Sequence, residues 1–228
     1  MFWQEDEDKT LPYQAPDDIL DLSFAMRCKQ LPLDHAWDLS VAIHQALPWF
    51  ENETLAGVHT IHVAESGNGW LRPEEQNGLL IPSRRTRLEL RIPKQRIQAA
   101  KTLTGQTLSW GEYKIEVGEA KEKPFSNTAV LFARYIVSAE TESEEEFLQR
   151  MAAEVKQTAQ FKIKKMLCGR SQHLRIGTSS IFTRHLMLAD LDNETSIRLQ
   201  QVGLGVGRHY GCGLLLPHKG IKTLKPTE

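Results

Sequence analysis

Apolar and polar residues alternate over residues 19–28, ILDLSFAMRC, which sets Leu20, Leu22, Phe24, Met26 and Cys28 on one side. A period of two marks a half-buried strand. The spacing then lengthens, with Ala36, Leu39, Ile43, Ala46 and Leu47 forming one stripe. That stripe predicts a helix over residues 34–47, with Asp34 as N-cap and Pro48 as its stop. Residues 57–64 and 86–92 read as strands, Pro93 opens a short helix over 93–101, and 106–121 supplies one or two strands. The second half repeats the order. A strand at 129–138 precedes a helix that starts at a capping box of Ser143 and Glu146 and runs to about residue 160. Strands are expected at 162–168 and 181–191, then a short helix capped by Asn193 and ending near Val202, then a last strand at 211–218. Each half is β-α-β-β-α-β, the ferredoxin-like order. The expected fold is therefore α+β: an acidic tail (1–18) and two ferredoxin-like domains in tandem, 19–123 and 124–228.

Composition narrows the class. With 228 residues, 40% of them hydrophobic, the chain can bury a full core without covalent staples. No apolar run approaches the ~18–20 residues of a membrane span, and the opening MFWQEDEDKT is acidic where a signal peptide is not. Cys28, Cys168 and Cys212 are widely spaced and form no CxxC pair, against both a disulfide framework and a cysteine zinc site. A reduced, cytoplasmic protein without metal or other cofactor is expected. The net charge of −1 conceals segregation: residues 1–20 and 139–154 each carry −5, which leaves +9 on the remainder. Such a distribution permits a basic face for a polyanion.

Five glycines crowd GLGVGRHYGCG at 203–213. A dinucleotide fingerprint needs a strand before it and a helix after it. Here a helix comes first and a strand follows. A helix cap and turn would need one or two glycines. Five offer backbone N–H groups that a phosphate can approach, at Gly203, Gly205 and Gly207, with Arg208 and Lys219 flanking.

The run GLGVGRHYGCGLLLPHK resembles the glycine-rich motif of the RAMP superfamily, the CRISPR-associated endoribonucleases that cut repeat RNA. The segments LPLDHAWDLSVAIHQALPWF (31–50), LAGVHTIHVAESGNGW (55–70) and RHLMLADL (184–191) point to its myxan-subtype members. The resemblance implies metal-independent cleavage within CRISPR repeats. The ribose 2′-hydroxyl attacks the adjacent phosphate, leaving a 2′,3′-cyclic phosphate and a 5′-hydroxyl. Implied partners are precursor and guide RNA and the other subunits of an interference complex. A non-catalytic subunit that only holds guide RNA is the alternative. An RNA-recognition-type reading lacks its usual RNP string.

The chemistry needs a general base, and histidine suits it. His44, in AIHQALPW, resembles the Leu-His-Gln-Ala-Leu context of the catalytic histidine in subtype I-F relatives. It borders the apolar stripe beside Trp37 and Val41. His35, at the start of the same helix, is the second choice. His59 and His62, three apart on one expected strand, should face opposite ways, while His209 and His218 belong to the glycine region as RNA contacts or core. Ser179, six residues before His185, would orient the 2′-hydroxyl by the same resemblance. Tyr210 could stack on a base, bond near the phosphate, or pack within the turn. Lys156, Lys162, Lys164, Lys165 and Arg170, with Arg175, form a basic run for phosphates; Arg84, Arg85, Arg87, Arg91, Lys94 and Arg96 form a second.

Overall fold

The computed structural model describes residues 18–63 and 78–218. The acidic tail through residue 17, the glycine-containing stretch at 64–70 and Lys219 lie outside them. In chain order the first half runs β1 (Ile19–Arg27), β2 (Leu31–Pro32), α1 (Ala36–Ala46), β3 (Gly57–Val58), β4 (Leu79–Leu80), β5 (Arg87–Pro93), α2 (Ile97–Lys101), β6 (Thr107–Trp110) and β7 (Tyr113–Lys123). The second runs β8 (Leu131–Val137), α3 (Glu144–Ala159), β9 (Lys165–Ile176), β10 (Ser179–Ala189), α4 (Asn193–Val202) and β11 (Leu215–Pro217).

The strands form two antiparallel sheets, β3-β5-β1-β7-β6 and β11-β8-β10-β9, with β2 and β4 paired separately. Number the strands of each β-α-β-β-α-β unit one to four. Both sheets then have the order four-one-three-two, with β6 added at the edge of the first. This is the tandem ferredoxin-like fold. The alternating side chains do what their period demands. Leu22, Phe24, Leu88 and Leu90 are fully buried against Leu39 and Ile43 of α1 and Phe50. In the second half Leu131, Ala133, Leu186 and Leu188 are buried against Phe147, Met151 and Val155 of α3.

Several local expectations are corrected. Asp34 does not cap α1: His35 stands at the N-cap position and its side chain makes no capping bond to the helix, and the Asp34 carboxylate accepts the backbone N–H of Arg175. Pro48 ends α1 by opening a 3-10 helix, Pro48–Asn52. The strand expected at 57–64 stays in the ladder only through Val58. The His59 N–H still donates to Glu89, but the Ile61 N–H goes to the His35 ring instead of a strand. The cap of α4 is Asp192, whose carboxylate accepts the Thr195 N–H, rather than Asn193. The largest miss is the hairpin of β9 and β10, continuous across most of residues 169–180, where no strand was expected. Capping at α3 is as expected, with the Ser143 hydroxyl and Glu146 carboxylate exchanging backbone bonds.

The halves are joined by buried charge. Arg91 of β5 is fully buried, bonds both oxygens of Asp21 at 2.8 and 3.0 Å, and reaches the carbonyls of Gln200 and Leu215 in the second half. His59 adds a bond to Asp21 at 3.1 Å. Burial alone would raise the Asp21 carboxyl, but Arg91 and His59 overcome it and hold it well below the usual carboxylate range. Arg91 is thus a structural cation and leaves the second basic cluster.

Candidate active site

The glycine segment lies along α1. Its central turn, the 3-10 helix Arg208–Tyr210, presents two neighbouring rings to two α1 residues on one face. The His209 ring meets the His44 ring edge-on with centroids 4.9 Å apart, and Tyr210 lies over Trp37 at 5.4 Å. Phe50 closes the base of the histidine pair, 5.7 Å from His44 and 5.3 Å from His209. Trp37 and His44 are two helical turns apart, ~10.5 Å along the axis.

His44 is half-buried, and its Nε2 is enclosed without a hydrogen-bond partner. An enclosed nitrogen left unpaired is costly to folding. Burial first, then the neighbouring His209, push the His44 imidazole below its ordinary 6.5, with Glu51 opposing. Burial also lowers His209, Arg208 adds to this, and the Glu53 carbonyl and Glu51 oppose it. His209 Nε2 lies 3.4 Å from that carbonyl. Two imidazoles in contact cannot both hold a proton cheaply. The pair is therefore neutral at pH 7 and can take up one proton. His209 was placed among RNA contacts or core by its position in the sequence; its contact with His44 had no local signal beyond the motif.

His35 is excluded from such a role. It is 2% exposed, its Nε2 accepts the Ile61 N–H at 2.9 Å, and its Nδ1 donates to the Pro32 carbonyl at 2.9 Å. Both nitrogens are spent on holding β2, α1 and the segment after β3 together. His59 and His62 do not diverge as strand partners would, because the ladder ends at Val58. Both border a cleft between the halves, His59 bound to Asp21 and His62 to the Thr60 hydroxyl.

Tyr210 lies at Trp37 rather than at His44, and Ser179 follows the β9–β10 turn that reaches the same ring. The β9–β10 turn brings Gly177 against Trp37, where an added Cβ would stand 3.6 Å from the ring. Ser179, exposed, is the first residue after that turn to pair, opposite Ile176. Arg175 of the same hairpin binds Asp38 of α1 through its guanidinium, so it clamps the turn to the helix and is not left for phosphate.

The glycines serve the backbone first, which corrects their expected role. All five have positive φ, between 71° and 86°. A Cβ on Gly203 would sit on the Gly213 carbonyl, and one on Gly213 on that of Leu204. The N–H groups of Gly203 and Gly213 donate to Leu199 and Tyr135, and that of Gly205 to the Glu154 carboxylate. Those two crossing points, and the seat taken by Glu154, leave Gly203 and Gly205 without a free donor. Gly207 alone of the three expected contacts keeps its N–H unpaired among the described residues. Arg208 also turns inward. It donates to the carbonyls of Gln201, Val202 and Leu55, closing the C-terminus of α4 against the first half, and burial pushes it down to about 9.

Of the basic run, Lys156, Lys162, Lys164 and Arg170 are exposed from the end of α3 into β9, and Lys165 pairs with Asp190 at 2.7 Å in the open. Among the described residues no three His, Cys, Asp or Glu side chains gather as ligands for a metal ion. Nor is any described helix long and apolar enough to cross a membrane.

Comparison with known proteins gives a consistent set of likenesses. The family model described as Cas6 Crispr matches residues 20–220. The CRISPR-associated endonuclease Cas6 of Myxococcus xanthus (strain DK1622) is 26% identical over 198 residues, 87% of this chain and 81% of that one. A solved structure from the characterization of a Cas6-related gene of Pyrococcus furiosus superposes with a TM-score of 0.61 at 14% identity, covering 90% of this chain and all of the other. A RAMP protein described as binding different RNA substrates superposes at 0.59 and 15% identity, over 86% and 98% of the two chains.

Proposed function

Because the chain belongs to the Cas6 family of CRISPR proteins, we propose that it is an endoribonuclease that cuts CRISPR precursor RNA within its repeats. The Myxococcus xanthus relative is named an endonuclease, and the same activity is assigned to this chain. The reaction is intramolecular and uses no metal. A base removes the proton of the ribose 2′-hydroxyl, the 2′-oxygen attacks the neighbouring phosphorus, and the bond to the 5′-oxygen breaks. A proton delivered to that oxygen completes a 2′,3′-cyclic phosphate and a 5′-hydroxyl.

The observation that carries this reading is the half-buried imidazole pair with an unpartnered Nε2 on His44. His44 is the base: it is held neutral at pH 7, and its enclosed nitrogen is oriented by Phe50 and His209. His209 supports it by keeping the pair short of two charges. Tyr210, against Trp37, and Ser179, just after the β9–β10 turn, hold the nucleotide beside the scissile bond, while Lys156, Lys162, Lys164, Lys165 and Arg170 contact phosphates along the RNA. The enzyme works in the cytoplasm and remains on its guide RNA as a subunit of the interference complex.

Repeat RNA incubated with the protein in excess EDTA tests the assignment. The wild type cuts and leaves a cyclic phosphate. His44→Ala lowers the single-turnover rate by about 10²–10⁴, the range for positioned proton transfer, and still binds RNA. Cleavage lost in EDTA and restored by magnesium would overturn the mechanism. A His44→Ala variant that cuts at the wild-type rate would overturn the choice of base.

A further inference from the structure

The 3-10 turn between α1 and β3 touches both site histidines, and one cation outside the site grips that turn at two points. Phe50 lies against the His44 and His209 rings. The Glu53 carbonyl accepts the Ala56 N–H at 3.0 Å and stands 3.4 Å from His209 Nε2. The cation is Arg96. Its Nε donates to the Glu53 carboxylate at 3.1 Å, and its guanidinium lies 5.1 Å from the centre of the Trp49 ring, within cation–π range. Trp49 in turn packs 5.4 Å from Phe50.

Arg96 is mounted on the first core. It stands at the N-cap of α2, and Ile97 and Ala100 of that helix are buried with Leu103. The Glu53 side chain is 14% exposed and that of Arg96 39%, so their ion pair is partly withdrawn from screening by salt. Charge alone puts Arg96 in the second basic cluster, but its Nε is engaged by Glu53 and its guanidinium rests over Trp49. At the other end of the turn the chemistry is directional. A carbonyl only accepts, so the contact with Glu53 calls for the proton on His209 Nε2 and leaves the lone pair of the neutral ring on Nδ1. Burial lowers His209 most; the Glu53 carbonyl is the largest opposing influence, Arg208 adds to burial, and Glu51 opposes it. His44 is the titratable group that α1 sets against the ring.

We propose that Arg96 is a positioning residue of the histidine pair: by fixing Glu53 and Trp49 it sets the carbonyl and the Phe50 ring against which His209 and His44 are held. The inference rests on the reading of that pair as the reacting groups. Arg96 touches no reacting atom and acts through the turn. Two routes lead from it to the pair, one through the Glu53 backbone to His209 and one through Trp49 and Phe50 to both rings.

The test begins with the full chain without RNA, in which the His209 imidazole is titrated by NMR and its signal assigned with His209→Asn. Arg96→Met removes the cation, and Glu53→Gln removes the ion pair while the backbone carbonyl stays. Both loosen the turn, so His209 titrates at lower pH than in the wild type. Arg96→Lys keeps an ion pair with Glu53 and restores the wild-type midpoint, which separates loss of the grip from loss of the fold. In single-turnover cleavage of repeat RNA, Arg96→Met slows the reaction by about tenfold to 10²-fold, the scale of a ~1 Å misplacement. The slope of log affinity for that RNA against log salt is unchanged. In a His209→Asn background Arg96→Met slows cleavage less than it does alone, because one of its routes has gone. An unmoved His209 midpoint in both Arg96→Met and Glu53→Gln would overturn the proposal, as would wild-type cleavage by Arg96→Met or effects that simply multiply in the double variant. A salt slope that falls by about 0.7–0.9 with His209 unmoved would make Arg96 a phosphate contact instead. A His209 midpoint that moves as expected in a chain unable to cut repeat RNA would overturn the nuclease and leave the grip on the pair standing.

Discussion

Histidine shows at the residue scale what a sequence discloses and what it withholds. The place of His44 at the border of the α1 stripe was legible, and the structure leaves it half-buried with an unpartnered Nε2. His35 was equally visible on the same segment, and nothing local told that its two nitrogens were already committed to Pro32 and Ile61. His209 and Arg208 were visible only as members of a motif. Charge is read from sequence, but the direction of a side chain is set by which buried carbonyls need donors, here those at the end of α4. The histidine pair makes a pH prediction with a definite sign. His44 is lowered by burial and by His209, so cleavage holds near pH 7 and falls on acidification below the ordinary value of about 6.5. His209→Asn removes one of those two causes. The His44 value rises, and the acid limb of the single-turnover profile moves to higher pH. A limb that stays in place would mean that His209 packs against His44 without acting on its proton. The same depression affects folding. Stability from the neutral pair is present above the unfolded value and is lost as pH falls through the lowered folded value, which urea midpoints between pH 7 and 5 can follow.

Period and caps carried most of the information for single elements. The apolar alternation of β1, β5 and β8 and the capping box of α3 were readable because the large apolar side chains fall on the core face at the period of each element, although the other face of β1 and β5 is also largely covered and buries Asp21 and Arg91. Ser143→Ala removes the acceptor for the Glu146 N–H and should cost about 1 kcal/mol in urea unfolding, with no effect on the rate of cleavage under folding conditions. The β9–β10 hairpin escaped the same reasoning for a physical reason. Between Gly169 and His173 most of β9 is exposed on both sides, so no apolar alternation marks it; its register comes from the ladder and from the Arg175–Asp38 clamp. The same exposure suits β9 to phosphates. Neutralising Lys164 and Arg170 together should flatten the dependence of log affinity for repeat RNA on log salt by about one to two, at 0.7–0.9 per phosphate contact. An unchanged slope would move the RNA off this strand.

Over the whole molecule, the order of elements predicted two sheets of one topology, but nothing in that order predicted how the halves are held. The joint depends on contacts between residues far apart in the chain: Arg91 with Gln200 and Leu215, Arg208 with Leu55, and Gly57 under Leu214, where a Cβ would come within 2.8 Å. Arg91 is the member whose loss reaches both halves. Arg91→Ala leaves the Asp21 carboxylate buried with only His59 and strips a donor from two carbonyls of the second half. Removing one partner of a buried pair costs about 3–5 kcal/mol. Asp21→Asn also breaks the ion pair, yet it leaves the Arg91 bonds to Gln200 and Leu215 in place and keeps an amide oxygen that can accept from the guanidinium. It should therefore cost less than Arg91→Ala, and the difference measures the part of the network that crosses between the halves. Urea unfolding of both variants, followed by tryptophan fluorescence and by far-UV circular dichroism, reads that difference. The Arg91 variant should show the larger fall in midpoint and a separation of the two probes, because all five tryptophans lie at or before residue 110 while the dichroism also weighs α3 and α4 of the second half. Equal falls with coincident probes would confine the network to the first half and assign the joint to Arg208 and the glycine segment that also carries His209.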